Sequence, residues 1–164
     1  MDAREDIERA VAACFTRLNP KTRSADGRSV RDRPDWLARV GPERWAIEMT
    51  AFRTTRAPVK GEGRPDEAAI RERLEAKAAR IDAYRLPDVD RVGLIIHAEF
   101  GRHSCRLEYP QQMTRLATHA ADVHASRGAP FDGLWLLRNE RPDDRGMLVA
   151  AYLRNGPDTA SSPD

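Results

Sequence analysis

The residues of this chain best suited to chemistry by type and spacing are Asp35, Glu48 and Thr50. They fall in two segments, residues 34–40 and 45–52, that read as the strands of a β-hairpin. Because side chains alternate along a strand, all three would share one face of that hairpin. Diagonal neighbours on paired strands have Cα atoms roughly 7–8 Å apart, so both carboxylates could bind one hard divalent cation, which prefers oxygen ligands.

The expected register of this hairpin places Val40 opposite Trp45. Asp35 then lies opposite Thr50, and Glu48 is its diagonal neighbour on the same face. A carboxylate in the middle of an otherwise apolar strand needs a reason, because burying an unpaired charge is costly. A metal ion or a partner of opposite charge would supply one.

These two strands resemble the motif of the PD-(D/E)XK nuclease superfamily. The family signature has Pro-Asp on one strand, followed by an acidic residue, any residue and a lysine on the next. This chain has Pro34-Asp35 and then Glu48-Met49-Thr50, so threonine stands where the family usually has lysine. The resemblance implies a restriction-endonuclease-like fold. It also implies a Mg²⁺ or Mn²⁺ ion held by Asp35, Glu48 and the backbone carbonyl of Met49.

Lys77 is the candidate for the missing cationic group. It falls on the inward stripe of a helix that begins near Pro65, although lysine is among the residues least often buried. Superfamily members without the strand lysine sometimes supply it from the following helix. The resemblance therefore implies a catalytic set of Asp35, Glu48, Thr50 and Lys77. The alternative is a lysine whose stem packs while its amine reaches water.

The first helix offers a further acidic group. In the superfamily, an acid of this helix can assist the metal. Glu8, which follows the apolar Ile7, is the candidate accessory acid, and Glu5 is the alternative.

Basic residues are concentrated on both sides of the hairpin. Residues 17–39 hold seven basic residues against three aspartates, and a polar loop at 53–64 follows the second strand. Arginine suits bidentate contacts to phosphate, and we expect the second loop to be mobile without substrate. A solvated loop is the alternative interpretation. The candidate contacts to a nucleic-acid backbone, with DNA favoured over RNA, are Arg28, Arg31, Arg33, Arg53, Arg56 and Lys60.

The elements that must position these residues follow the order α-β-β-α-β-α-β-β. Helical periodicity covers residues 3–18, 65–85 and 110–127, and strand patterns cover 34–40, 45–52, 91–98, 131–138 and 147–154. The strand–helix–strand segment predicts a parallel pair with a right-handed crossover, and hence a mixed β-sheet flanked by helices. The superfamily core is α-β-β-β-α-β, and its third hairpin strand has no counterpart in the predicted order.

Length and composition indicate one α/β domain over residues 1–155 and a disordered tail over 156–164. The net charge of +2 gives no bulk electrostatic argument for nucleic acid. No apolar run approaches the ~18–20 residues of a membrane span, and the N-terminus does not read as a signal peptide. We expect a cytoplasmic protein with no membrane partner, for which a homodimer is compatible with the sequence.

Two other functions stay open. One is a non-catalytic module on the same fold that binds nucleic acid or protein, as an accessory or immunity-type partner does; Thr50 and the modest net charge favour it. The other is a structural domain in which Glu48 and Lys77 form a buried ion pair, which would be no proof of function. Binding of a divalent metal would separate the nuclease from both.

Overall fold

The described residues of the computed structural model contain four helices and six strands. They are residues 3–24, 34–52, 65–98, 110–140, 142 and 145–154. In chain order the elements are α1 (Ala3–Leu18), β1 (Thr22–Ser24), β2 (Trp36–Val40), β3 (Glu43–Ala51), α2 (Pro65–Ala78), α3 (Ile81–Tyr84), β4 (Arg91–Ala98), α4 (Pro110–Ser126), β5 (Gly133–Arg138) and β6 (Met147–Leu153). Within this part of the chain, every helix is too short or too polar to cross a lipid bilayer.

The six strands form one mixed sheet whose spatial order follows the chain, β1-β2-β3-β4-β5-β6. Strands β1, β2 and β3 pair antiparallel, β3, β4 and β5 pair parallel, and β6 returns antiparallel to β5. The predicted mixed sheet with flanking helices is thus confirmed, as is the parallel pairing across the crossover between β3 and β4. All residues of β4 are buried, as its nearly continuous apolar sequence predicts for a central strand.

One face of the sheet packs against α1. This helix buries a stripe that includes Val11 and Phe15, while acidic residues stand in its first turn and a basic residue in its last. The Phe15 ring meets Trp36 and Trp135 edge-on, with centroids 5.8 Å and 5.1 Å away. Helix α1 is therefore fixed to β2 and β5 by aromatic contacts.

The opposite face packs against α2 and α4. Ile70 and Leu74 of α2 join Met113 and Leu116 of α4 in the core of this face, and all four are fully buried. Because β3 lies between α1 on one face and α2 on the other, its side chains can reach residues of both helices.

The predicted order omits two elements. Thr22–Ser24 forms the edge strand β1 inside a stretch predicted to be a loop. It has no apolar residue to mark it in the sequence, and it forms by pairing with β2. The helix predicted over 65–85 is interrupted, because Arg80 N donates to Lys77 O three residues back and the chain restarts as α3. The apolar spacing continues across the break and so does not reveal it.

The predicted hairpin register is wrong by two residues. Val40 pairs with Glu43, so a two-residue loop joins the strands, and Gly41 has a φ of 60°, which glycine adopts without strain. Continued to the end of β2, this register places Asp35 at the level of Glu48. An even shift keeps every side chain on its predicted face.

Candidate functional site

The candidate site lies where β2 separates from β3. Pairing between these strands ends at Trp36 and Ile47, while β3 continues. Beyond that point β3 has no backbone partner in β2. The Asp35 side chain takes over as acceptor, and its Oδ2 accepts a hydrogen bond of 2.8 Å from Met49 N. Glu48 Oε2 in turn accepts a hydrogen bond of 3.2 Å from Asp35 N. The two acids predicted from sequence therefore meet in this fork.

Two cationic side chains contact the acids from opposite sides. Lys77 Nζ lies 2.7 Å from Glu48 Oε1, so its amine points at the site as the inward stripe predicts. Arg4 bridges two carboxylates, with Nε 2.7 Å from Glu8 Oε1 and a terminal nitrogen 3.0 Å from Asp35 Oδ1. Glu8, the candidate accessory acid, thus joins the network through Arg4.

Each charged group has a defined place in the fold. Glu8 follows Arg4 by one helical turn on α1, a spacing at which side chains on a helix meet. Lys77 stands in the last turn of α2, which is anchored to the sheet by Leu74. The site therefore needs both helix layers and the two hairpin strands at once.

Burial and mutual repulsion alter the acidity of this cluster. Burial, followed by the charge of Glu48, raises the pKa of Asp35 to about 7; Glu8 adds to the rise, whereas the Met49 amide and Lys77 oppose it. The hydrogen bond and charge of Glu8 raise the pKa of Arg4. Three acids and two bases meet here, so ionisation of Asp35 gives the cluster one negative charge in excess, which an added cation would balance.

The oxygen atoms at the fork are suited to a hard cation. The N–H and C=O of one residue point to the same side of an extended strand, so the Met49 carbonyl faces the fork as its amide does. Carboxylate and carbonyl oxygens are the ligands that Mg²⁺ prefers. Among the described residues, no group of three or more His, Cys, Asp or Glu side chains stands close enough to form a metal cage. A cation bound at Asp35 Oδ1 would need the Arg4 guanidinium, 3.0 Å away, to move aside.

Thr50 is buried on β3, opposite Ile96 of β4. By strand alternation it shares a face with Glu48, two residues back. It therefore lies beside the acid pair, two residues further towards the C-terminal end of β3.

The six candidate phosphate contacts lie outside the described residues, as do the loop 53–64 and the tail 156–164.

Arg4 is the site residue that sequence reasoning missed. Its spacing of four from Glu8 on a helix was a local signal for an ion pair. Its contact with Asp35 spans 31 positions of the chain and depends on how α1 packs on the sheet.

Comparison of the chain with protein-family models, with curated proteins and with solved structures finds no match.

Proposed function

We propose that this protein is a divalent-metal-dependent nuclease of the PD-(D/E)XK type, which hydrolyses phosphodiester bonds in nucleic acid. The observation that carries the proposal is the meeting of Asp35 and Glu48 in the strand fork, with Lys77 against Glu48. Ionised carboxylates buried this close together cost free energy, and a metal-dependent reaction gives a reason for keeping them.

The order of elements also supports the proposal. With β1 included, the chain runs α1, β1, β2, β3, α2 and β4, apart from the single turn of α3 before β4. This sequence of elements agrees with the α-β-β-β-α-β order that the resemblance implies. Residues 22–24 would then correspond to the strand that the predicted order lacks.

The proposed ligands are the carboxylates of Asp35 and Glu48 and the carbonyl of Met49. A bound Mg²⁺ or Mn²⁺ would lower the pKa of a water molecule and neutralise charge on the scissile phosphate. Lys77 holds the Glu48 carboxylate in place and would stabilise the negative charge that develops as water attacks. Thr50 would hydrogen-bond the attacking water or the groups that position it.

Nucleic acid, with DNA favoured over RNA, is the proposed substrate. The basic residues at 28–33 and 53–60 would contact its phosphates, which gives affinity without sequence specificity. Such binding would weaken steeply with salt. A homodimer is compatible with this arrangement.

A non-catalytic binding module is the second candidate. The specific observation in its favour is Arg4, whose guanidinium contacts both Glu8 and Asp35 and so neutralises acids that a metal would use. Threonine in place of the strand lysine points the same way. In this case the acids and bases would serve to fix α1 and α2 against the sheet.

Titration with a divalent metal separates the two candidates. We expect Mg²⁺ or Mn²⁺ to raise the melting temperature of the wild type in a dose-dependent way, because a ligand that binds only the folded state stabilises it. Glu48→Gln should lose this shift, because a neutral amide is a poorer ligand than a carboxylate. Glu72→Gln, on the exposed face of α2, is the matched control and should respond as the wild type does. Equal responses of all three proteins, or none, would contradict the proposed metal site.

A further inference from the structure

We infer that Arg4 is a resident cation that competes with the divalent metal for Asp35 and Glu8, so that the metal binds by displacing the guanidinium. This inference rests on the proposed function. It adds a means of regulating the site, because Arg4 in the first turn of α1 would then set the metal concentration at which the site fills.

Both oxygen atoms of Asp35 already have a partner. Oδ2 accepts the hydrogen bond from Met49 N, a backbone contact made where β2 leaves β3. Oδ1 is the oxygen that has no backbone contact here, and the Arg4 guanidinium lies 3.0 Å from it. A divalent ion at Oδ1 would therefore meet a fixed positive charge at close range, which is strongly unfavourable in a buried site.

Arg4 also holds the accessory acid. Its Nε lies 2.7 Å from Glu8 Oε1, so one guanidinium spans two carboxylates with two different nitrogens. The planar fork of arginine suits this bridging geometry better than the point charge of lysine does. Release of one side chain would free an oxygen on each of two acids at the same time.

Exposure distinguishes the cation that can leave from the one that stays. The Arg4 side chain is 64% exposed, whereas the side chains of Asp35 and Glu8 are 0% and 8% exposed. The guanidinium can therefore swing into water without opening the core. The Lys77 side chain, which is paired with Glu48, is only 20% exposed, so it remains in place. Departure of Arg4 removes the cation that contacts buried Asp35, and a bound metal ion would take its place there.

Competition of this kind has a measurable consequence. When the binding-competent state is only a fraction of the population, apparent affinity falls by that fraction. Removing the guanidinium makes the acids permanently available and should tighten metal binding. A merely structural Arg4 would give the opposite result, since its loss would loosen α1 and scatter the ligands.

The test is a calorimetric titration of Mn²⁺ into the wild type, Arg4→Gln and Arg9→Gln. Arg9 is exposed on the same helix, so its variant controls for the loss of one positive charge on α1. We expect Arg4→Gln to bind Mn²⁺ roughly tenfold more tightly than the wild type. Arg9→Gln should bind as the wild type does, and thermal melts would establish that each variant is folded.

The outcomes separate this inference from the function on which it rests. Equal or weaker binding by folded Arg4→Gln, with clear binding by the wild type, would overturn the competition but leave the metal site intact. Absence of binding in all three proteins would overturn both. If Arg4→Gln does not fold, Arg4→Lys keeps the charge but loses the bridging fork. Its Mn²⁺ affinity should then exceed that of the wild type, and an unchanged or weaker affinity would overturn the competition.

Discussion

At the scale of single residues, Asp35 is held where ionisation is unfavourable. It is fully buried, and burial together with the charge of Glu48 raises its pKa to about 7, against 3.8 for an ordinary aspartate. The folded protein therefore takes up a proton between these values that the unfolded chain does not, and this contribution to stability falls as pH rises through that range. A residue retained at such a cost is typical of a functional site.

His124 is a buried group far along the chain from the fork, and its protonation should affect stability in the opposite direction. Its Nε2 accepts a hydrogen bond of 3.0 Å from Phe131 N, which requires the neutral ring. Burial, with a smaller contribution from Arg154, lowers its pKa from 6.5 to about 4, and Asp132 opposes the shift. The unfolded chain therefore binds a proton more readily than the folded protein over this range.

We predict that the stabilising contribution of neutral His124 is complete above pH 6.5 and is lost as pH falls towards about 4. The loss should approach about 3 kcal/mol, since each pKa unit corresponds to ~1.4 kcal/mol. Urea unfolding of the wild type and His124→Gln across this range measures it. The variant should show a shallower dependence on pH, and identical slopes for the two proteins would contradict the assignment.

Sequence alone indicated part of the candidate site at this scale. Lys77 was found because its charge interrupts an apolar stripe, and Glu48 because it interrupts an apolar strand. Arg4 was missed because an arginine in the first turn of a helix interrupts nothing. Its role depends on Asp35, which is distant in sequence and comes close only through packing.

At the scale of elements, the ion pair between Lys77 and Glu48 joins the end of α2 to the middle of β3. Their side chains are 20% and 4% exposed, and the two charged atoms lie 2.7 Å apart. Removal of one partner leaves the other buried and uncompensated. The contact should therefore couple helix and sheet energetically.

We predict that Lys77→Met, which keeps the apolar stem, destabilises the fold by roughly 3 kcal/mol because Glu48 is left unpaired. The double variant with Glu48→Gln should recover most of this loss, since no buried charge then remains. A double-mutant cycle in urea measures the coupling. Additive effects of the two substitutions would contradict a direct pair. If Lys77 also serves catalysis, the double variant recovers stability but not cleavage.

The elements themselves were predictable in proportion to their apolar pattern. The bounds of α1 and β4 follow from the sequence, because α1 has a helical apolar periodicity and β4 is a nearly continuous apolar run. Strand β1 was missed because its three polar residues carry no apolar pattern and become a strand by pairing with β2, a tertiary contact. The register was misjudged because Gly41 allows a tighter turn than the sequence alone indicated.

At the scale of the whole molecule, the site depends on both halves of the fold. Glu8 and Arg4 approach from the layer of α1, and Lys77 approaches from the layer of α2 and α4. Asp35, immediately before β2, and Glu48, on β3, lie between these layers. A mixed α/β fold could be predicted from the alternation of elements. The convergence of both layers at one fork could not, because it requires α1 to pack through Phe15 on Trp36 and Trp135 of the sheet.

The most direct test of the proposed function is cleavage of nucleic acid by the purified protein. We predict that wild type with Mg²⁺ or Mn²⁺ cleaves DNA, that chelation by EDTA stops the reaction, and that Asp35→Asn and Glu48→Gln are inactive although folded. Glu72→Gln, on the exposed face of α2, should cleave as the wild type does. RNA, tested in parallel, would establish which nucleic acid is the substrate. Cleavage that persists in folded Asp35→Asn or Glu48→Gln, or no metal-dependent cleavage of either nucleic acid by the wild type, would contradict the account.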